Sequence, residues 1–154
     1  MPNTNWSILT SLQLGKYAEY YAKMELASYG LDVYTSEVDD HGIDFIAKVK
    51  NIFIEIQVKS VRNLSYVFLQ KDKWDINSEN TFLALILFEE NKLPKAYLIP
   101  ATAWKKPDRL LCDKNYSGLK SKPEYGINLS IKNESLLEQY EFEKTLRKSE
   151  LISE

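Results

Sequence analysis

Seven consecutive apolar residues, Phe82-Leu83-Ala84-Leu85-Ile86-Leu87-Phe88, set the first constraint on what this chain can fold into. The run is about a third of the length a membrane-crossing helix needs, so it reads as a buried central strand. At 154 residues and 44% hydrophobic content, the chain is expected to form one compact domain, residues 1–154, with its own core.

The elements around this strand follow from periodicity and punctuation. Between Ser11 and Tyr29, Leu14, Ala18, Tyr21, Ala22 and Leu26 recur at three- and four-residue steps, predicting a helix that Gly30 closes. Three short strands are predicted next: Leu31 to Val38, Ile43 to Val49 and Ile52 to Lys59. Turns separate them at Asp39-Asp40-His41-Gly42 and near Lys50-Asn51. Leu64 to Leu69 reads as a further strand and Lys71 to Asn80 as a turn or short helix. Thr81 to Phe88 is the central strand, and Ala96 to Ile99 its antiparallel neighbour after the turn at Leu93-Pro94. Pro100 to Gly126, broken by Pro107, Gly118 and Pro123, reads as irregular, and Leu136 to Leu146 as a closing helix. The predicted class is α/β (α+β), a central mixed sheet flanked by helices.

Charge narrows the function. The 20 Lys+Arg against 22 Asp+Glu give a net charge of -2, so any polyanion has to meet a local patch rather than an overall basic field. One cysteine, Cys112, excludes an intramolecular disulfide, and the first residues lack the basic and apolar regions of a signal peptide. The expectation is a soluble, cytoplasmic protein without membrane partners.

Two predicted strands carry polar residues where apolar ones would serve better. In Glu55-Ile56-Gln57-Val58-Lys59, alternation puts Glu55, Gln57 and Lys59 on one face and Ile54, Ile56 and Val58 on the other. A solvated sheet edge would account for that face alone. Asp44, however, heads the preceding strand, where a hairpin brings it to the Gln57 and Lys59 end of its partner. Glu19 falls on the small-residue flank of the first helix, where a carboxylate needs positive compensation from a metal ion or from Lys59.

The ordered set of Gly15-x-x-x-Glu19, Gly42-Ile43-Asp44 and Gln57-Val58-Lys59-Ser60 resembles the PD-(D/E)xK, or restriction-endonuclease-like, nuclease superfamily over Gly15 to Ser60. With glutamine before the lysine, it is similar to the Gln-x-Lys branch containing Mrr-like restriction nucleases and small homing endonucleases. The resemblance implies a restriction-endonuclease-like core and a Mg²⁺-dependent endonuclease, Mn²⁺ able to substitute, acting on double-stranded DNA as a homodimer or higher homo-oligomer. It assigns metal binding to Asp44, Gln57, the main-chain carbonyl of Val58 and Glu19. Catalysis would fall to Glu19, Asp44, Gln57 and Lys59, with Lys59 orienting the attacking water and stabilising developing phosphorane charge. Gln57 departs from the commonest pattern by removing one negative charge, which weakens metal affinity and raises the importance of Glu19. Glu55 is a weaker candidate for the missing carboxylate, because a two-residue step sets it roughly 7 Å along the strand.

Other residues carry alternative readings. His41, the one histidine, reads as a polar turn residue rather than a ligand or base. Ser60, Arg62, Lys71 and Lys73 are placed to bind phosphates, although Lys71 and Lys73 serve equally as solvated surface. Lys105-Lys106 and Lys120-Ser121-Lys122, interleaved with Trp104, Tyr116 and Tyr125, suit either a nucleic-acid-contacting loop or one packing on the core through its aromatics. Glu138, Glu141, Glu143 and Glu150 turn the last helix away from a polyanion. A nuclease fold retained only for binding, and an RNA rather than DNA substrate, are the rival readings.

Overall fold

The computed structural model describes residues 1–35 and 42–153. The expected turn through Asp39, Asp40 and His41, and the end of the first expected strand, lie outside the described residues.

Helix α1 (Ser11–Ser28) starts where Thr10 accepts the Gln13 N–H and Gln13 accepts the Thr10 N–H, a reciprocal cap that satisfies two of the orphan amides of the first turn. It stops at Gly30, whose φ of +88° suits a residue without a Cβ. Strands β1 (Asp32–Thr35), β2 (Phe45–Val49) and β3 (Ile52–Val61) follow. Lys50 and Asn51, both at positive φ, make the two-residue turn between β2 and β3. The chain continues through β4 (Val67–Gln70), β5 (Thr81–Leu87), β6 (Lys95–Pro100), β7 (Leu111–Lys114) and β8 (Glu124–Ile127) to helix α2 (Phe142–Lys148).

The main sheet has the order β1-β2-β3-β5-β6, antiparallel except where β3 and β5 run parallel. A second sheet, β4-β8-β7, is antiparallel throughout. All seven residues of β5 are buried because both of its faces are covered. Phe82, Ala84 and Ile86 face α1 and α2, packing with Ala18, Ala22, Leu26, Phe142 and Leu146. Leu83, Leu85 and Leu87 face the second sheet, packing with Trp74, Trp104, Leu111 and Ile127. Each fully buried Leu, Ile or Phe contributes about 1.5–3 kcal/mol, so this double coverage makes β5 the energetic centre of the fold.

Three expectations are corrected. Strand β3 runs two residues beyond Lys59, to Val61, because β5 pairs with it as far as Val61↔Leu87. The segment expected to be irregular contributes two strands to the second sheet, and Trp104 within it is 1% exposed, edge-on to Trp74 and donating its indole N–H to the Gly126 carbonyl at 3.0 Å. The closing helix is split: a 3-10 turn over Glu134–Tyr140 buries Leu137 on the second-sheet side, and α2 then buries Phe142 and Leu146 on the α1 side. Thr145 fastens α2 by donating to the Leu98 carbonyl at 2.6 Å. Among the described residues, no helix is long and apolar enough to cross a membrane.

Candidate active site

Strand β3 outruns β2. Their pairing ends at Phe45↔Ile56, with the Asp44 N–H still reaching the Ile56 carbonyl at 2.9 Å. Past that point Val58 has no strand partner on this side among the described residues, and its N–H donates to Asp44 Oδ2 at 2.7 Å. The carboxylate thus takes the place of a ladder acceptor and is held by a charge-assisted bond to a rigid element. The Val58 carbonyl leaves the strand on the same edge as its N–H.

Gln57 points to the opposite face. Its Oε1 is buried and has no hydrogen-bond partner among the described residues, an expensive condition for an amide oxygen. Gly42 lies against it: a Cβ added there would sit 3.5 Å from Oε1, and the φ of +80° already disfavours a side chain.

The expected site residues divide between two cavities at this end of β3. Glu19, Asp44 and Val58 line one of about 680 Å³, together with Gly15 and Lys16. Gln57 and Lys59 line another of about 250 Å³, with Gly42, Phe68, Gln70 and Lys73. The first holds the two carboxylates; the second holds two ammonium groups and two amides and, among the described residues, no acid. The compensation expected for Glu19 comes from its own helix, through Lys16 at 3.1 Å and Lys23 at 3.7 Å. That pairing raises the Lys16 ammonium above its ordinary pKa, chiefly through the hydrogen bond to Glu19. Glu55 stays on the Gln57 face but lines a separate cavity with Lys71, Trp74 and Tyr125.

The expected phosphate contacts also separate. Ser60 and Arg62 line a groove of about 440 Å³ with Lys59, and Arg62 donates to the Leu9 carbonyl ahead of α1. Lys73 is exposed at the mouth of the Gln57 cavity. Lys71 turns elsewhere: its ammonium pairs with Asp113, reaches Asn115 at 2.8 Å and lies 4.7 Å from the Tyr125 ring. Phe68 and Gln70 are the lining residues that sequence reasoning missed. The signal available was β4's alternation, which sends Phe68 and Gln70 to one face and Val67 and Leu69 into the core.

Among the described residues no three His, Cys, Asp or Glu side chains gather as a metal cluster. Oxygen donors here are of mixed kind: the Asp44 and Glu19 carboxylates, the orphaned Gln57 amide and the Val58 carbonyl. Asp44, Glu19 and Val58, which share a cavity, fit a hard divalent cation, which accepts neutral as well as charged oxygens, whereas Gln57 lines the other cavity.

No family model and no curated protein matches the sequence. Among solved structures, Hjc, a Holliday junction resolvase of Archaeoglobus fulgidus, an archaeal hyperthermophile, is similar over 91% of this chain and 98% of its own, at 13% identity and a TM-score of 0.54. A bacterial homing endonuclease is similar over 79% of this chain and 77% of its own, at 14% identity and a TM-score of 0.46. The first likeness is one of fold and spans nearly the whole chain: this protein has the restriction-endonuclease-like fold that its motifs led us to expect.

Proposed function

We propose that this chain is a metal-dependent nuclease that hydrolyses phosphodiester bonds in DNA, built as one domain around the end of β3. The observation that carries the reading is Gln57. Its buried amide oxygen, without a hydrogen-bond partner among the described residues, lies on the face of Lys59, one residue from the amide that Asp44 holds. A chain gains nothing in stability from such an oxygen, and a cation is what would reward it.

Asp44, Gln57, the Val58 carbonyl and Glu19 would hold Mg²⁺ or Mn²⁺, which supplies Lewis-acid stabilisation of charge on the scissile phosphate. The remaining chemistry belongs to side chains of known placement. The carboxylate cavity suits the cation and the Lys59 and Lys73 cavity suits the phosphate; Gln57 lines the second, so its share in holding the ion is tested by its own variant. Lys59 donates to the phosphoryl oxygen on which negative charge grows and orients the attacking water, and Lys73 adds a second positive charge. Val58 fixes Asp44 through its N–H, so the carboxylate does not reorganise during the reaction. Cutting both strands of a duplex calls for two such sites, hence a homodimer or larger assembly. The similar fold of a Holliday junction resolvase adds branched DNA to the substrates worth testing.

The test compares wild type with Asp44→Asn and Lys59→Ala on supercoiled plasmid, linear duplex, a four-way junction, single-stranded DNA and structured RNA, in Mg²⁺ and in Mn²⁺. Cleavage lost in both variants supports the assignment and selects the substrate. A strict monomer by native mass measurement counts against duplex cleavage. One observation favours a binding-only module: Glu19 is already paired to Lys16 and Lys23. In that case wild type and variants bind DNA alike and none turns over.

A further inference from the structure

Strand β4 is an edge of the second sheet and lies beside Lys59. Its two aromatics stay in solvent: Phe68 is 48% exposed and Tyr66, just ahead of the strand, 36%. Phe68 lines both the cavity of Gln57 and Lys59 and the groove of Ser60 and Arg62, so it sits where the two meet. Tyr66 is held in place. Its hydroxyl donates to Glu124 at 2.5 Å, its ring lies over Gly126, where an added Cβ would come within 2.1 Å of Oη, and the Lys114 ammonium covers the ring at 4.2 Å, which leaves Phe68 as the open aromatic. Register sets Phe68 opposite the same Gly126, so the Tyr66 ring fills the space that a side chain at 126 would take beside Phe68. Lys59, Arg62 and Lys73 flank Phe68, and among the described residues none that lines the cavity or the groove is acidic.

A flat, half-exposed ring beside a row of cations forms a surface complementary to a polyanion that also offers apolar faces. A closed duplex hides its base faces inside its own stack; unpaired nucleotides present both phosphate and base. We propose that Phe68 forms a stacking ledge for unpaired nucleotides next to Lys59. The strand bound there then has exposed bases at the scissile phosphate, as at a flap, bulge or branch. The cleavage consequence rests on the nuclease reading; the binding consequence does not.

Fluorescence anisotropy with 5′-labelled dT12, a 12-base-pair duplex and U12, in EDTA, tests the binding directly. Wild type is expected to prefer dT12 to the duplex. Phe68→Ala should weaken dT12 binding about tenfold, within the range for removing a base-stacking aromatic, and leave duplex binding within about twofold. Phe68→Tyr should restore it, and Phe68→Leu, which keeps an apolar side chain but no ring, should not. Binding of U12 in place of dT12 would keep the ledge and identify the strand as RNA. Equal loss for duplex and dT12, no effect of Phe68→Ala or Phe68→Leu in folded protein, or no single-strand binding by wild type would each overturn the proposal. In Mg²⁺, wild type should cut a duplex carrying an unpaired flap faster than a continuous one, a preference that Phe68→Ala removes. If no substrate is cut while the dT12 result stands, the nuclease reading fails and the ledge remains.

Discussion

Replacing Gln57 by methionine separates stability from metal binding. Methionine keeps the unbranched stem but carries no amide oxygen, so the buried acceptor that lacks a partner among the described residues is deleted. Leaving a buried polar group unsatisfied costs about 1–3 kcal/mol. Gln57 is half-buried rather than fully enclosed, which places the expected gain near 1–2 kcal/mol in that range. For a chain of this length that is about 2–4 °C in Tm for each kcal/mol. In EDTA, therefore, Gln57→Met should melt several degrees above wild type. In Mg²⁺ the order should narrow or reverse. Wild type gains stability by mass action, about 2.7 kcal/mol when the ion is at a hundredfold excess over its Kd, and the variant loses an oxygen ligand. Differential scanning calorimetry with and without Mg²⁺ reads both effects from one pair of proteins. A variant that melts at or below wild type in EDTA, and is shifted equally by Mg²⁺, would refute both the orphaned oxygen and its role as a ligand.

Asp44→Ala should cost about 1.5–3 kcal/mol in urea denaturation, because the Val58 N–H loses a charged acceptor, whereas Asp44→Asn keeps an acceptor and should cost less. The asparagine variant is accordingly the better activity control. Gly126→Ala drives a Cβ into Tyr66 and should destabilise by about 1–3 kcal/mol; retention of full stability would mean that Tyr66 swings away freely. Burial raises the Glu25 carboxyl above its ordinary pKa, so the folded state binds its proton more tightly than the unfolded chain. Its contribution to stability is then favourable in acid and lost as pH rises through the carboxylate range. Glu25→Gln should stabilise at neutral pH and lose that advantage on acidification, seen as a flatter Tm-against-pH curve; an unchanged curve would refute the shift.

Local patterns carried much of this protein. The spacing of Leu14, Ala18, Ala22 and Leu26 gave α1, and the run from Phe82 gave a strand covered on both sides. The order of Glu19, Asp44 and Gln57-x-Lys59 led to the fold that the chain has, since Glu19, Gln57 and Lys59 sit at fixed points on a helix and a strand and Asp44 directly precedes β2. The second sheet was hidden for a physical reason. Its strands are four residues each, too short for a period, and β4 pairs with β8 across about sixty residues of sequence, Val67 with Ile127. Nothing near Glu124–Ile127 announces a partner so distant. Likewise, Trp104 was readable as an aromatic in a loop, but not as the indole that bonds Gly126 beneath that sheet.

The amino-acid sequence alone determined which residue types lie at the end of β3 and that Gln57 and Lys59 share a face, because strand alternation is a property of the backbone. Tertiary structure decided the rest. It gave Asp44 the Val58 N–H, paired Glu19 with Lys16 and Lys23, sent Lys71 to Asp113, and set Phe68 beside Lys59. Those outcomes depend on which distant segments meet, and the distance between two side chains is fixed only once the sheet that carries each has closed on its neighbours.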